Sequence, residues 1–335
     1  VAIGGGTGLS TLLRGVKHHT NNITAVVTVG DDGGSSGRLR KEQGVIPPGD
    51  IRNCIAALAD EERLITELFQ YRFSTGQGLE GHSFGNLFLT ALCRITGDMM
   101  SAIKESSKVL NIRGRVLPST LDSVTLSAEL DTGEVIHGES QIPEAQGNIT
   151  RLFSTPENPT PLPDVLRAIE EAEVIILGPG SLYTSVIPNL LIPQISQAIS
   201  KSPAPKLYIT NLVTQPGETD GYTVSDHIRA IHAHAGIDHF IDAVLVNHDL
   251  PDPLKEKYRQ ANALPVYLDR ALCEDMGVEI IEANLVDNRV TNTLRHHPRQ
   301  LGNAIIDWYK EHWWRSGRSP RSQETEEPLV FQIPN

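Results

Sequence analysis

The sequence has few cysteines, few aromatic residues and no long apolar run. Its three cysteines, Cys54, Cys93 and Cys273, lie far apart in 335 residues and form no Cys-x-x-Cys pair. A disulfide framework is therefore not expected, and a reducing, cytoplasmic location fits best. No uninterrupted apolar segment approaches the roughly 18 residues that a membrane-spanning helix needs, so we expect no membrane partner.

The chain also has fewer basic than acidic residues. The chain has 29 Lys and Arg against 41 Asp and Glu, which gives a formal net charge of −12. A protein that binds DNA or RNA normally carries a basic face or stripe, so we expect no nucleic-acid partner. The expected partner is a small molecule, while self-association and protein partners stay open.

Short segments rich in Val and Ile alternate with amphipathic segments. Apolar strands without polar alternation are typical of parallel strands covered on both faces, and strand–helix–strand repetition indicates a doubly wound sheet. The sequence predicts an α/β fold: a Rossmann-like, doubly wound, mostly parallel sheet with a β-hairpin insertion. The predicted strands are residues 1–3, 23–29, 174–177, 207–210, 243–246, 266–268 and 278–281, and the predicted helices are 7–17, 51–59, 85–96, 163–172, 184–200 and 225–235.

We predict one nucleotide-binding domain over residues 1–313, because α/β chains of roughly 250–300 residues often fold around one core. The strand–helix rhythm breaks at residues 114–156. There "VTLSAELDTGEVIHGESQI" alternates apolar and polar residues around Asp131, Thr132 and Gly133, which predicts the hairpin. Residues 314–335 are mostly polar and predict a flexible tail. Because the chain begins at Val1 inside a predicted strand, we expect further residues upstream.

The opening "VAIGGGTGLS" runs from a predicted strand through glycines into a predicted helix. A glycine turn lets backbone N–H groups approach a phosphate, and the helix N-terminus adds partial positive charge. The dinucleotide fingerprint Gly-x-Gly-x-x-Gly is not met, because Leu9 stands where the third glycine belongs. The candidate ligand contacts are Gly4, Gly6, Thr7 and Gly8, and a tight structural turn is the alternative.

The second predicted strand leads into "TVGDDGGSSGRLRKEQGVIPPGDIRN". An acidic residue at this place hydrogen-bonds a ribose in doubly wound nucleotide folds, and Asp31 or Asp32 occupies it; two adjacent carboxylates could instead hold a divalent cation. Residues 33–37 predict a mobile loop rich in donors, followed by basic residues that suit phosphate. A solvated surface loop is the alternative. The candidate contacts here are Ser35, Ser36, Arg38 and Asn53.

Two later segments have similar chemistry. "ILGPGSLYTSVIPNLL" is a strand entering Gly178, Gly180 and Ser181 before a helix, and it predicts a second phosphate or sugar cradle at the carboxyl edge of the sheet. "YITNLVTQPGETDGYTVSDHI" follows another strand, and Asn211 and Thr214 offer amide and hydroxyl groups suited to a neutral base or sugar.

The stretch "GHSFG" fits the Gly-x-Ser-x-Gly nucleophile motif. That motif needs a buried strand before the serine, whereas residues 74–80 are polar and glycine-rich. Ser83 is therefore not expected to be a nucleophile. We predict instead a helix start, with Asn86 facing the same cleft.

Together these motifs resemble one family, the gluconeogenesis factor (YvcK-type) proteins of the YvcK/CofD group. The blocks "GGGTGLSTLLRG", "DDGGSSGRLR", "PPGDIRNCIAALAD", "GHSFGNLFLTAL", "GPGSLYTSVIPNLL" and "TQPGETDGYTVSDH" look like the family's and occur in its order. The resemblance implies a Rossmann-like core, a cytoplasmic location and a role in cell shape and in growth on gluconeogenic carbon. It also implies binding of UDP-N-acetylglucosamine, with no cofactor required.

By this resemblance the nucleotide sugar contacts residues 4–8 and 31–36, Asn211, Arg295 and Tyr258. Some members of the family are phosphorylated on a threonine near this arginine. Here "LRHHPRQL" has Pro298 at about that place, so that form of regulation is not expected.

The alternative function is that of the sister branch, 2-phospho-L-lactate transferase. By resemblance it would use a guanosine diphosphate donor and a divalent metal such as Mg²⁺, with Asp32 and Asp50 as the metal candidates. Only 5% of the residues are aromatic, which leaves few rings to stack the deazaflavin acceptor. A nicotinamide dehydrogenase is a third reading, and the incomplete glycine fingerprint argues against it.

Overall fold

The computed structural model describes residues 1–60, 63–145, 147–287 and 294–315. The strands are β1 (Ala2–Gly4), β2 (Thr24–Val27), β3 (Arg115–Pro118), β4 (Thr125–Leu130), β5 (Val135–His137), β6 (Ile149–Thr155), β7 (Ile175–Leu177), β8 (Lys206–Ile209), β9 (Ala243–Asn247) and β10 (Glu279–Ala283). The helices are α1 (Gly6–Val16), α2 (Gly34–Gln43), α3 (Gly49–Leu58), α4 (Arg63–Gln70), α5 (Phe84–Thr96), α6 (Met99–Val109), α7 (Pro163–Glu170), α8 (Ile187–Leu190), α9 (Pro193–Lys201), α10 (Val224–Ala235), α11 (Asp252–Arg259), α12 (Arg270–Asp275) and α13 (Pro298–Arg315).

Seven strands form one sheet in the order β10-β9-β8-β7-β1-β2-β3, and every pairing in it is parallel. The strands β1, β2, β7 and β8 are buried along their whole length, which explains why they are mostly apolar and show no polar alternation. The predicted α/β fold is confirmed.

The chain order reverses between β1 and β7. From β1 the chain adds strands towards β3, and from β7 it adds them in the opposite direction towards β10. Because parallel crossovers are right-handed, the two directions put the connecting helices on opposite faces of the sheet. The crevice at such a switch point is where open α/β sheets bind ligands. No helix in the described ranges is long and apolar enough to cross a membrane.

The insertion at residues 114–156 differs from the predicted hairpin. Its first strand, β3, pairs in parallel with β2 and belongs to the large sheet. The rest forms a three-stranded antiparallel sheet in the order β5-β4-β6. The predicted turn is present, since Gly133 N donates to Leu130 O at 2.9 Å between β4 and β5. The pairing of β6 with β4 spans a long connection, which local sequence patterns do not reveal.

Three other sequence predictions are wrong. Residues 266–268 form no strand, and Tyr267 makes only an isolated bridge with a side chain 70% exposed. The predicted helix 184–200 is broken, because Pro193 lacks an N–H and begins a new helix, α9. Residues 34–37 are not a loop but the first turn of α2, which follows Gly33. Of the predicted tail, residues 316–335 lie outside the described residues.

Helices α1 and α13 cross at two glycines. A Cβ atom added at Gly15 would lie 2.0 Å from the carbonyl oxygen of Pro298, and one at Gly302 would lie 2.7 Å from the carbonyl carbon of Gly15. The two backbones are therefore in direct contact, and this contact packs the last described helix against the helix that begins at the switch point.

We predict that Gly15→Ala destabilises the protein. Alanine is favoured over glycine in a helix by about 1 kcal/mol, but its methyl group would force the two backbones apart, so the free energy of unfolding should fall by about 1–3 kcal/mol. Urea unfolding measures this change. The control is Thr7→Ala, at an exposed position of the same helix, which should change the free energy by less than about 0.5 kcal/mol. A stabilised Gly15→Ala protein would contradict the contact.

Candidate functional site

Two glycine turns meet at the switch point, one after β1 and one after β7. A Cβ atom added at Gly8 would lie 2.3 Å from Pro179 O, and one at Gly180 would lie 3.5 Å from Gly5 O. Gly178 has a φ of +79°, a conformation that favours glycine. A side chain at Gly8 would collide with the backbone of Pro179, so the absence of a side chain there lets the two turns meet. The predicted contacts that this meeting brings together are Gly4, Gly6, Thr7, Gly8, Gly178 and Gly180.

The paired carboxylates after β2 hold backbone groups. Asp31 Oδ1 accepts a hydrogen bond from Gly33 N at 2.9 Å, and Asp32 Oδ1 accepts one from Ser140 N at 2.9 Å. The first bond shapes the start of α2, and the second ties the insertion to the end of β2. Both side chains are half-buried, and their second oxygens lie close to Gly49 and Gly138.

A third carboxylate, Asp50, lies in the first turn of α3 and accepts a hydrogen bond from the amide of Gly6. A Cβ atom at Gly5 would lie 2.8 Å from Asp50 Oδ2. Burial, together with the negative charge of Asp31, raises the pKa of Asp50 to about 6, and the Gly6 bond opposes the shift. The carboxyl group of Asp50 therefore lies at the N-terminus of α1.

The 3₁₀ helix Glu139–Glu144 of the insertion covers the cleft, and we call it the roof. A Cβ atom at Gly217, in the loop after β8, would lie 2.2 Å from Pro143 O, so the roof touches that loop as well as Asp32. Burial and the nearby carboxylates, Asp31 first, raise the pKa of Glu139 to about 8. The roof therefore adds a fourth carboxyl group, one that favours its protonated form, to those of Asp31, Asp32 and Asp50.

A buried polar network supports the start of α2. Ser35 Oγ lies 2.9 Å from His82 Nδ1, and Asn86 Nδ2 donates to Ser35 Oγ at 3.1 Å. Ser83 Oγ accepts from Asn86 N at 3.2 Å and caps α5. Ser83 is completely buried and acts as a helix cap, as expected for a serine that is not a nucleophile. Next to this network, Ser36 is buried and packs against the backbone of Gly49.

The basic residues near the cleft differ in burial. Arg38 is exposed and donates to Glu80 O at 2.6 Å. Arg52 is only 7% exposed and donates to Asn53 Oδ1 at 2.7 Å, while its Nε has no hydrogen-bond partner among the described residues. Burial, helped by the charge of Arg72, lowers the pKa of Arg52 to about 10.

The loop after β8 contributes an amide and a buried acid. Asn211 Nδ2 donates to Gln215 Oε1 at 2.7 Å, and Asn211 Oδ1 is buried without a partner in the described part of the chain. Thr214 is bonded in both directions to Leu264, at 2.7 and 3.0 Å, so it positions the loop. Ser181 donates a short hydrogen bond to Glu218. Burial raises the pKa of Glu218, and this bond opposes the shift.

The segment that carries Arg295 is held at the same edge. Tyr258 Oη accepts a hydrogen bond from Leu294 N at 2.5 Å, and His296 is bonded to the backbone of Thr210, directly after β8. Burial lowers the pKa of His296 to about 4, so this histidine is neutral. Arg295 itself is exposed. Tyr258 therefore braces the segment that presents the arginine.

Sequence reasoning missed three residues of the cleft: Glu139, Ser185 and Glu218. Ser185 belongs to the motif "GPGSLYTS" and could have been found by continuing the motif beyond Ser181. Glu218 follows the turn Pro216–Gly217, which was interpreted only as a turn. Glu139 lies in the insertion, and nothing in its neighbouring sequence indicates that the insertion folds over the switch point.

The metal candidates Asp32 and Asp50 each use an oxygen to accept a backbone hydrogen bond. Within residues 1–60, 63–145, 147–287 and 294–315, no group of three or more His, Cys, Asp or Glu side chains is arranged to hold a metal ion.

The fold and the site together identify the class of protein: a doubly wound α/β protein with a glycine-lined cleft at the carboxyl edge of its parallel sheet. The family model for 2-phospho-L-lactate transferase CofD matches residues 1–286. A putative gluconeogenesis factor from Nostoc sp. is 58% identical over 92% of this chain and 68% of its own. The gluconeogenesis factor of Bacillus subtilis is 52% identical over 92% of this chain and 97% of its own.

A crystal structure of a Bacillus halodurans protein superimposes with a TM-score of 0.88 at 50% identity, covering 91% of this chain and 98% of that one. The chain therefore belongs to the gluconeogenesis factor family, whose members carry a CofD-like domain.

We predict that Asp50→Asn stabilises the protein at neutral and higher pH. Because the pKa of Asp50 is raised from 3.8 to about 6, the folded state disfavours the ionised form. The resulting penalty is absent below pH 3.8 and complete above pH 6. The variant should gain about 1–2 kcal/mol at pH 8, a figure reduced for the water that reaches the cleft, and less at pH 5. Urea unfolding at both values tests this.

The matched control is Asp275→Asn, which removes the same charge at an exposed position and should show no such pH-dependent gain. A loss of stability in Asp50→Asn at pH 8 would mean that the Gly6 hydrogen bond outweighs the burial of the charge.

Proposed function

We propose that this protein binds a nucleotide sugar, UDP-N-acetylglucosamine, in the cleft between β1 and β7 and acts as a regulatory binding protein. The observation that carries the proposal is the contact of the two glycine turns at the switch point. Open α/β sheets bind ligands at this place, and a bare backbone beside a helix N-terminus suits a diphosphate. The names of the relatives support a role in growth on gluconeogenic carbon; a role in cell shape and a cytoplasmic location belong to the same proposal.

The loop after β8 suits the uracil end of the ligand. Asn211 Oδ1 is a buried acceptor without a partner among the described residues, and a buried acceptor normally has a donor. The imide N–H of uracil is such a donor. Thr214 keeps the loop in place, and Asn211 therefore reads the base.

Two arginines suit the diphosphate. The Nε of Arg52 is buried without an acceptor in the described part of the chain, and an anion in the cleft would supply one. Arg295 is exposed at the edge near Thr210, on a segment braced by Tyr258. A guanidinium group forms strong, charge-assisted hydrogen bonds with phosphate. In this proposal Asp31 and Asp32 accept hydrogen bonds from backbone amides and from the hydroxyl groups of the ribose. No cofactor is needed.

The second candidate is a CofD-like transferase that uses Mg²⁺. It is favoured by the family model that the chain matches and by the half-buried carboxylates of Asp32 and Asp50 beside the turns. There a divalent cation would offset the charge of the carboxylates and of a diphosphate.

We predict that UDP-N-acetylglucosamine stabilises the protein more than GDP or NAD does. At about 100 times its dissociation constant, a ligand adds about 2.7 kcal/mol to stability. Thermal unfolding with each ligand, with magnesium and with a chelator, measures the order, and chromatography of the same samples detects product. An equal or reversed order would remove the main proposal. Magnesium-dependent release of UDP, or group transfer to an added acceptor, abolished by Asp32→Asn, would favour the transferase.

We predict that Arg295→Ala weakens binding of UDP-N-acetylglucosamine by about 1.5–3 kcal/mol, because it removes a charge-assisted hydrogen bond to phosphate. Titration calorimetry gives the affinity. Arg295→Lys should restore only part of it, since lysine lacks the planar pair of donors. The control is Arg299→Ala, at another exposed position in the first turn of α13. Equal losses in both alanine variants would mean that only net charge matters.

A further inference from the structure

Ser185 has a hydroxyl group at the point where the two glycine turns meet. A Cβ atom at Gly6 would lie 3.6 Å from Ser185 Oγ, and one at Gly180 would lie 3.0 Å from Ser185 Cβ. A Cβ atom at Gly5 would also approach Ser185 Cβ, at 3.5 Å. Three glycines therefore lie next to this one side chain.

The backbone holds Ser185 in this position. It lies in a π-helical turn, Leu182–Val186, which follows the second glycine turn and leads directly into α8. Such turns occur mostly as single insertions, often at functional sites. The completely buried Asn189 donates to Ser185 O at 2.9 Å and to Gly4 O at 3.3 Å, which ties the turn to the end of β1.

The side chain of Ser185 has no evident structural role among the described residues. The neighbouring hydroxyls are engaged: Thr184 Oγ1 donates to Ser181 Oγ at 2.7 Å, and Ser181 Oγ donates to Glu218. Ser185 Oγ makes no hydrogen bond to another described residue, and the side chain is half-buried at the floor of the cleft. Below it, Asn189 Oδ1 is also buried without a partner in the described ranges.

We propose that the Ser185 hydroxyl is a phosphate-binding group, which donates a hydrogen bond to a phosphate oxygen of the nucleotide diphosphate lying across both glycine turns. This inference rests on the proposed function and assigns a residue to the diphosphate part of the ligand. Gly180 leaves room for the serine, since a Cβ atom there would lie 3.0 Å from Ser185 Cβ, and Gly5 and Gly6 place no side chain between its hydroxyl and the first turn. Ser185 thus joins the two turns into one site.

The inference predicts a loss that depends on the phosphate. Ser185→Ala should weaken binding of UDP and UDP-N-acetylglucosamine by about 10-fold, as expected for a hydrogen bond to a charged group. Binding of uridine, which has the same base and ribose but no phosphate, should stay within about 2-fold, because distant sites act independently. Calorimetric titration of the wild type and the variant with the three ligands gives these ratios.

The control variant is Ser200→Ala, which removes a half-buried serine hydroxyl near the end of α9. It should bind all three ligands as the wild type does. Thermal unfolding without ligand reports whether Ser185→Ala is folded, and uridine binding provides a second check on the integrity of the cleft.

The outcomes are distinguishable. The assignment is wrong if the Ser185→Ala protein is folded and binds UDP as tightly as the wild type does. It is also wrong if the variant loses the same affinity for uridine as for UDP, because that result indicates a structural role. A loss confined to the phosphate-bearing ligands supports the assignment. If the wild type binds neither UDP nor UDP-N-acetylglucosamine, the proposed function itself fails, and the assignment fails with it.

Discussion

The contact of two backbone turns at the switch point is the constraint on which the site depends. Parallel strands end at one edge of the sheet, so the loops after β1 and β7 start side by side. They can approach this closely because Gly8 carries no side chain that would meet the backbone of Pro179. The close approach leaves amide groups and a helix N-terminus uncovered by side chains, and this surface is what a diphosphate would use. Every other residue of the cleft is arranged around it.

The cleft combines this anion-binding backbone with an excess of carboxyl groups. Asp31, Asp32 and Asp50 approach from the large sheet side, and Glu139 approaches from the roof. Burial and mutual repulsion raise the pKa values of Asp50 and Glu139, so part of the negative charge is neutralised by protons. A bound anion would favour those protons further, and a divalent cation is the other means of offsetting the same charge.

Family membership and cleft geometry support different parts of the functional conclusion. The relatives establish the family over nearly the whole chain, but a gluconeogenesis factor is named for its physiological role and not for a ligand. The ligand is proposed from the family resemblance, and the proposal assigns the unpartnered Asn211 Oδ1 to the base, Arg52 and Arg295 to the diphosphate, and Ser185 to the phosphate between the turns. Each of these groups belongs to a different segment of the chain, so substitutions at them should separate recognition of the base from recognition of phosphate.

The sequence by itself determined the parallel strands and the glycine turns, because buried strands need unbroken apolar runs and tight turns need glycine. Many candidate residues could be proposed from the sequence as well, since they follow predicted strands directly. It did not reveal that β3 joins the large sheet, that residues 34–37 are helical, or that Glu139 covers the cleft. These features depend on pairings and contacts between residues far apart in the chain, such as Ser140 N with Asp32. Only the tertiary structure decides such contacts, because their energy appears only when both partners are in place.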